Sequence, residues 1–600
     1  MIPASVNPDI YGFEEAYLNL IAAATHLSPG FISIHVCTMA SDDGKEPVRQ
    51  TKHDGEKFSD QELSKVESCI LGDTQLVEQA GTKRNIKSRH AQMIAIGGSI
   101  GTGLFVGSGQ ALAIGGPGIL LLSYCLMAIL VYGVVTAVIE VGTYLPLSGS
   151  SMAYHCNRFV SPSLGFALGW LYFYSFGIIL AYEITTASIV INYWPNSVHI
   201  AVWISIMMIV IIALNLSPVG VYAETEFWFA SIKIIMIIGL LILSFILFWG
   251  GGPSHDRLGF RYWKDPGAVK EYITTGEGGR FTAFLYVWVF SGFSFYFSPE
   301  LIIFTGGEMV NPRKNLPIAS RHFFWRLIFF YIFGVLAIGV TCNPDSEGLT
   351  SGSGDANASP WVIAIQNAGI PILPSIVNAG ILTSAWSAGN AYLYMSSRSI
   401  YSLAISGNAP KIFARCNRWG LPIYSVLAAS CFAPLAYLSC GSQAGVVFNW
   451  LVSLTNTAGY TSWILCAIVY LRFRKACIAQ GVSVPYPSRV QPYMAWVSLV
   501  FFTILLLCNG FTYFYPGRFT VSGFLTTYIG IPIFLVLWIG HKLILGRQDP
   551  WMRSPLKVDL TTGLREVEAD ARMWTSMEEM QDEQKGMGNK WLKKVSNIWE

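Results

Sequence analysis

Twelve long apolar runs limit what this chain can fold into more than any other feature. They lie at 92–113, 118–140, 164–191, 199–217, 227–249, 281–304, 323–342, 371–395, 423–440, 446–471, 494–515 and 520–545, and are numbered here as spans one to twelve. A helix needs about 20 mostly apolar residues to cross a bilayer. Composition removes the soluble alternative. Hydrophobic residues make up 52% of the 600 and charged residues 12%, against about 25% charged in soluble chains. Too little charge remains to cover a water-facing surface of that size, and the mean hydropathy of +0.46 agrees. A membrane β-barrel would show short alternating segments, whereas these runs are continuous. Several contain Gly, Pro or Ser, which a helix bundle tolerates where neighbours or water satisfy the freed backbone groups. The expected fold class is an all-α polytopic membrane protein of twelve transmembrane helices, with the lipid bilayer around it. The same numbers exclude disordered, collagen-like and coiled-coil chains. A net charge of +3 gives no sign of a nucleic-acid partner.

The bias of Lys and Arg between loops sets orientation. With the N-terminus cytoplasmic, the inner segments hold twenty Lys and Arg close to the spans, and the outer loops hold six: Arg257, Arg261, Lys264, Lys270, Arg280 and Arg518. Both termini are therefore expected to be cytoplasmic, in keeping with an even number of spans. Three regions follow: 1–91, a cytoplasmic and largely disordered N-terminal tail; 92–545, the twelve-helix domain; 546–600, a cytoplasmic C-terminal tail. Residues 1–39 are moderately apolar but lack a basic start, so no secretory signal is expected. Met39 opens a more ordinary polar tail and is an alternative start. Lys45, Lys52, Lys57 and Lys65 of the N-terminal tail are candidate attachment points for ubiquitin-ligase machinery. The loop 343–370 is expected outside and carries the sequon Asn357-Ala358-Ser359, weakened by Pro360. The eleven cysteines form no CxxC pair and no Cys/His cluster. They read as small buried hydrophobes, and neither a metal site nor a cofactor is expected.

Polar or broken stretches inside a span are costly, so they mark candidate function. Span one holds Gly97-Gly98-Ser99-Ile100-Gly101-Thr102-Gly103-Leu104-Phe105. Each Gly weakens a helix by about 1 kcal/mol relative to Ala. Two readings stand at this point. The stretch unwinds, freeing amides and carbonyls that grip a carboxylate and an ammonium, or its small residues let helices pack closely. A phosphate loop fits poorly, because no strand precedes it and no lysine follows. Span six carries a second break at Phe295-Tyr296-Phe297-Ser298-Pro299-Glu300, where Pro299 removes a helical hydrogen bond. Glu300 lies well inside that span. It suits a proton carrier, and the plainer alternative is a neutral side chain bonded to a backbone carbonyl. Glu183 sits midway through span three and Lys233 in span five, where acid and base on different helices make a switchable ion pair. Glu140 and Glu226 lie near span ends and are expected to be solvated. Breaks in spans one and six, five spans apart, fit two inverted five-helix halves with substrate between them.

The run from Arg89 to Phe105 resembles the opening signature of fungal amino-acid permeases, within the amino acid–polyamine–organocation superfamily. The resemblance recurs at Gly307-Glu308-Met309-Val310-Asn311-Pro312-Arg313-Lys314-Asn315-Leu316-Pro317, at Ser384-Ala385-Trp386-Ser387-Ala388-Gly389-Asn390 and at Gly407-Asn408-Ala409-Pro410-Lys411. It covers about residues 84–570. Gly250-Gly251-Gly252-Pro253 with Gly259-Phe260-Arg261-Tyr262-Trp263 is most similar to the dicarboxylic amino-acid permease subgroup. The resemblance implies ten core helices in the LeuT-type 5+5 inverted repeat, and proton-coupled amino-acid uptake across the plasma membrane. It implies that the backbone of Ser99, Ile100, Gly101, Thr102 and Gly103 holds the substrate carboxylate and that Phe297 and Ser298 face its ammonium. Ser175 and Thr455 match positions facing the side-chain pocket. Lys233 takes the place of a bound cation and couples to protons, together with Glu183 and Glu300. Two departures stand out. Ser298-Pro299 replaces Gly followed by Ser or Thr; either the unwound stretch simply tolerates proline, or substrate choice is altered or transport impaired. Asn456 replaces a common Gly and adds a donor and acceptor near the pocket.

The main expectation is an amino-acid/proton symporter working by alternating access. A transport-deficient amino-acid sensor of the same fold is the alternative. An enzyme is not expected, since no HxxxD or HxxxH pattern falls in a span. The class of amino acid is not legible, because no spacing reveals a pocket cation for an acidic substrate.

Overall fold

The computed structural model describes residues 86–584 apart from Ser148, Asn196, 351–358 and 442–443. Met39, the tail lysines and the sequon residue Asn357 lie outside the described residues. Each of the twelve predicted runs falls on helix. Among the described residues, six helical stretches are long and apolar enough to cross a bilayer alone: Ser88–Tyr144, Pro162–Ile191, Val219–Phe248, Gly276–Gly306, Pro312–Thr341 and Ile423–Cys440. Val521–Tyr528 and Gly530–Ile544, bent by 43°, make a seventh if taken together. Among the described residues the one β contact is an isolated bridge between Ile86 and Met309. The chain is an all-helical, multi-span membrane protein.

Ser88–Tyr144 holds both span one and span two. They part at Gly116, whose φ of 78° and ψ of 173° leave the helix just before Pro117. A left-handed φ favours Gly, and Pro cannot continue the hydrogen-bond ladder. The corner is fixed by the Gly118 amide donating to Ala268 O at 2.7 Å.

Span five shows the logic of a bilayer protein. Its buried positions are Tyr222, Glu226, Ala230, Lys233, Ile237, Leu240 and Ser244, a stripe at helical spacing. Trp228, Ile232, Ile235, Ile242 and Phe245 point outward. The charged residues therefore face the protein and the bulky apolar ones face the surroundings, the reverse of a helix in water.

On the side predicted to be cytoplasmic, the segment after span twelve crosses the helix ends. The Arg553 amide donates to Val160 O at 2.9 Å. The Tyr144 hydroxyl reaches Leu560 O at 2.9 Å, and Arg158 reaches Asp559 O and Thr562 O at 2.7 Å each. Leu564–Gln584 then forms a further helix.

Two expectations are corrected. Glu140 and Glu226 are fully buried rather than solvated. The helices extend beyond the apolar runs, so both carboxylates lie under neighbouring elements. Glu140 accepts from Arg474 at 2.6 Å, from the Tyr470 hydroxyl at 3.3 Å and from the Ser488 amide at 3.2 Å.

Candidate functional site

The first half of span one, Ser88–Ser99, ends at Ile100 (φ −80°, ψ 88°), and the chain turns again only from Thr102. Residues 100–101 are thus unwound at mid-span. Three side chains hold the opened backbone. Lys233 Nζ donates to Gly97 O. The Tyr331 hydroxyl lies 2.7 Å from Ser99 O, and Ser384 Oγ donates to Ile100 O at 3.3 Å. At the far edge, Thr102 Oγ1 donates to Glu183 Oε2 at 3.1 Å.

The glycines have a specific reason. A Cβ on Gly97 would collide with the Glu226 carboxylate, and one on Gly101 would come 2.8 Å from Glu183 Oε1. The small residues admit side-chain carboxylates to the backbone, which joins the unwinding and the close-approach readings. Glu226 accepts from the Ser387 hydroxyl and from Asn390 Nδ2, the latter at 3.1 Å. Lys233 lies within electrostatic reach of both Glu226 and Glu183.

Span six is broken between Gly276–Phe295 and Ser298–Gly306. Phe297 takes the left-handed conformation (φ 58°, ψ 9°), which costs a non-Gly residue about 1–2 kcal/mol. Its ring packs edge-on to Phe176, with centroids 4.8 Å apart. Pro299 occupies the first turn of the second half, where its missing amide hydrogen costs little because first-turn amides have no helical acceptor. The structure therefore accommodates proline without breaking an existing helix.

Glu300 Oε1 accepts from Ser462 Oγ at 2.5 Å and from Cys466 Sγ at 3.7 Å. Its Oε2 is buried without a partner, and no ion pair reaches the carboxyl among the described residues. Its partners are side-chain hydroxyl and thiol, not the backbone carbonyl expected of a passive glutamate. The Tyr331 hydroxyl also lies 2.6 Å from Ser294 O, so one phenol spans the two breaks.

Between the breaks lies a cavity of about 20 Å³, room for about one water. It is lined by Gly98, Ser99, Gly101, Gly103, Ile179, Glu183, Phe293, Ser294, Tyr296, Tyr392 and Thr455. Ser99 Oγ is buried there without a partner. Of the expected site residues, Ser99, Gly101, Gly103, Glu183 and Thr455 come together on this wall. Ile100 and Thr102 belong to the break but do not line the cavity. Lys233 holds the break from behind.

Phe297, in the break, and Ser298 and Glu300, on the second half of span six, lie off the cavity wall. The backbone turns at Tyr296, so it is Ser294 and Tyr296 that face the site. Ser175 is bonded to Leu171 O at 2.6 Å, and Ile179, one turn further on, takes its expected place. Phe293 and Tyr392 were missed as well. The aromatic run before Phe297 was the available signal.

A second cavity, about 400 Å³, lies beside it toward the predicted outer side. Val289 and Phe290 line it, one turn before Phe293 and Ser294, and Asn456 lines it next to Thr455. The opposite side is closed. Arg398 Nε meets Glu308 Oε1 at 2.9 Å, and both side chains are buried. The Tyr394 hydroxyl donates to Glu308 Oε2 at 2.9 Å, and the Arg398 guanidinium lies 4.3 Å from the Tyr394 ring centre. Backbone bonds of 2.9 Å, Ile86 to Glu308 O and Val310 to Ile86 O, tie the start of span one to the end of span six. Glu308 had been noted only as part of a motif.

Comparison with known proteins agrees with this architecture. The amino acid permease family model matches residues 90–554. A proline-specific permease of Emericella nidulans is 48% identical over 500 residues, covering 82% of this chain and 90% of that protein. A proline-specific permease of Saccharomyces cerevisiae is 46% identical over 521 residues, covering 85% and 82%. The expected likeness to dicarboxylic permeases stands lower, at 42% over 477 residues and 78% of each chain, for the Saccharomyces cerevisiae protein. A helical bundle with paired broken spans and a family match across nearly all of it lead to one conclusion: the chain belongs to the amino acid permease family, membrane transporters and not enzymes.

Proposed function

We propose that this permease is an amino-acid/proton symporter working by alternating access, in the plasma membrane, with both termini cytoplasmic. Residues 92–545 carry transport, and 1–91 and 546–600 are cytoplasmic tails. The observation that carries the reading is the bracket around the span-one break. A lysine holds its entry at Gly97, a glutamate holds its exit at Thr102, and a second glutamate stands behind the lysine. A proton moving among these groups changes what holds the break, and so links protonation to substrate binding.

The backbone around Ser99 to Gly103 takes the substrate carboxylate, since opened amides favour an anion. The span-six break, through Ser294 and Tyr296, faces the ammonium. Ile179, Phe293, Tyr392 and Thr455 enclose the side chain. No Lys or Arg lines this cavity, so an acidic side chain would find no counter-charge there. Such a lining suits a small neutral amino acid once the cavity opens. Proline is the first to test, because two of the relatives carry proline-specific in their names.

The test is uptake of labelled proline, leucine, lysine and glutamate by yeast lacking its own permeases, at acidic and near-neutral external pH. Proline uptake that rises with acidity and collapses with an uncoupler is the expected result. Uptake indifferent to pH and uncoupler would remove the proton from the reading. Binding without accumulation, from protein confirmed at the cell surface, would identify a sensor instead.

A further inference from the structure

The 400 Å³ cavity has a chemistry of its own. Its walls come from the outer parts of spans one, six, ten, eleven and twelve and from the loops after spans five and eleven. The lining includes one cation, Arg518, and no Asp or Glu. Arg518 stacks over the Tyr272 ring, 5.3 Å from its centre, and its guanidinium lies 3.4 Å from the Tyr272 hydroxyl. It forms no ion pair among the described residues. Among those residues its charge meets no carboxylate, while its planar donors are set beside a phenol.

Asn456 supplies the second, independent observation. It is only 6% exposed and lines this cavity, yet its Oδ1 has no partner. A buried amide oxygen left without a donor is unfavourable, and turning the Asn456 amide toward the cavity would offer it to a ligand donor. Gln110, bonded to the Tyr286 hydroxyl at 3.0 Å, and Tyr513 add further polar groups. The volume lies within the roughly 300–1,000 Å³ of small-molecule sites. The central cavity, by contrast, has room for about one water.

We infer that the outer cavity is a second amino-acid site, where Arg518 takes the α-carboxylate and the Asn456 amide takes the ammonium before the substrate moves inward to Thr455 and the span-one break. This rests on the amino-acid substrate of the proposed function. Guanidinium recognises carboxylate through paired donors and charge, and a neutral amide oxygen accepts from an ammonium without competing for the carboxylate. Adjacent residues on one helix, Asn456 outward and Thr455 inward, pass the ligand from one cavity to the next.

The test is equilibrium binding of labelled proline to the purified full chain, with leucine, lysine and glutamate as further probes, alongside uptake kinetics. Two saturable components are expected in the parent. Arg518→Gln should remove one of them and raise the uptake KM about ten-fold with Vmax nearly unchanged. Arg518→Lys, which keeps the charge, should lose no more than about three-fold, and Asn456→Ala should weaken the same component. Proline methyl ester, which lacks the anionic carboxylate, should fail to compete for it.

A single component in the parent, or two components untouched by Arg518→Gln, overturns the outer site. Equal damage from Arg518→Lys and Arg518→Gln also overturns it, because the stack on Tyr272 would then be the whole role. Two components, one of them lost in Arg518→Gln, without any uptake would overturn the transport reading alone. No saturable binding of any probe overturns both.

Discussion

The break in span one is surrounded by charge, and the break in span six by rings. Around residues 97–102 stand Lys233, Glu226 and Glu183, each touching or facing opened backbone. Around Phe297 stand Tyr172, Phe176 and Tyr296, with the carboxyl of Glu300 close by, held by a hydroxyl and a thiol. Two spans interrupted at corresponding places are thus stabilised by different physics. Charged side chains satisfy the first break where glycines let them reach the backbone. Aromatic packing holds the second, where a non-Gly residue adopts a left-handed turn. Charge responds to a proton and packing responds to shape, so in the proposed symporter the first break would serve coupling and the second selection.

Lys233→Met should strike hardest at this contrast. It removes the cation that holds Gly97 O and strands two buried glutamates, and breaking a buried charge cluster from one side costs about 3–5 kcal/mol. Concentrative uptake should fall at least about ten-fold and lose its acid stimulation, measured against surface-expressed protein. Retained acid stimulation would separate the charged break from coupling.

Gly101→Ala should come next. Its Cβ would meet Glu183 at 2.8 Å, so the carboxylate must leave Thr102 or the break must shift. A several-fold rise in KM with normal surface level is expected. An unchanged KM would show that the Glu183–Thr102 contact is dispensable.

Glu300→Gln should do less. The amide oxygen can still accept from Ser462, and no cation is left unpaired. Uptake should stay within a few-fold of the parent, with its pH dependence kept. A loss as deep as that of Lys233→Met would make both breaks charge-handling and end the distinction.

Pro299→Ser should have the smallest effect on transport, under about two-fold, because a first-turn proline displaces no helical hydrogen bond. A change of preferred substrate in that variant would give span six a direct part in selection through residue 299.

A last prediction lies away from both breaks. Burial raises the Asp559 carboxyl, but the amides of Thr562 and Thr561 and the charge of Arg158 outweigh it and hold the group below its ordinary value. Its contribution is therefore present above the usual carboxylate range and fades as pH falls through the lowered value. Asp559→Asn should lower the melting temperature slightly at neutral pH, with the difference shrinking in acid. A constant difference would assign the effect to packing.

Much of this was legible in the sequence. Run length and composition dictated the spans, because a bilayer accepts little but continuous apolar helix. Glycine and proline in spans one and six marked the breaks, since those residues weaken helices wherever they stand. Glu183, Lys233 and Glu300 declared themselves by charge inside hydrocarbon. Their partners did not. Nothing in the order of residues says that Lys233 meets Gly97 O, that Tyr331 spans both breaks, or that Arg398 closes over Glu308. Glu226 looked solvated because it precedes the apolar run, but helix packing buries it against Ser387 and Asn390. Ser175 looked pocket-facing, and the rotation of span three gave that place to Ile179. Local chemistry determines where a helix can form, end or break. Which side chains then meet across 37 to 232 residues of chain depends on how the helices rotate and stack, and the tertiary structure alone decided that.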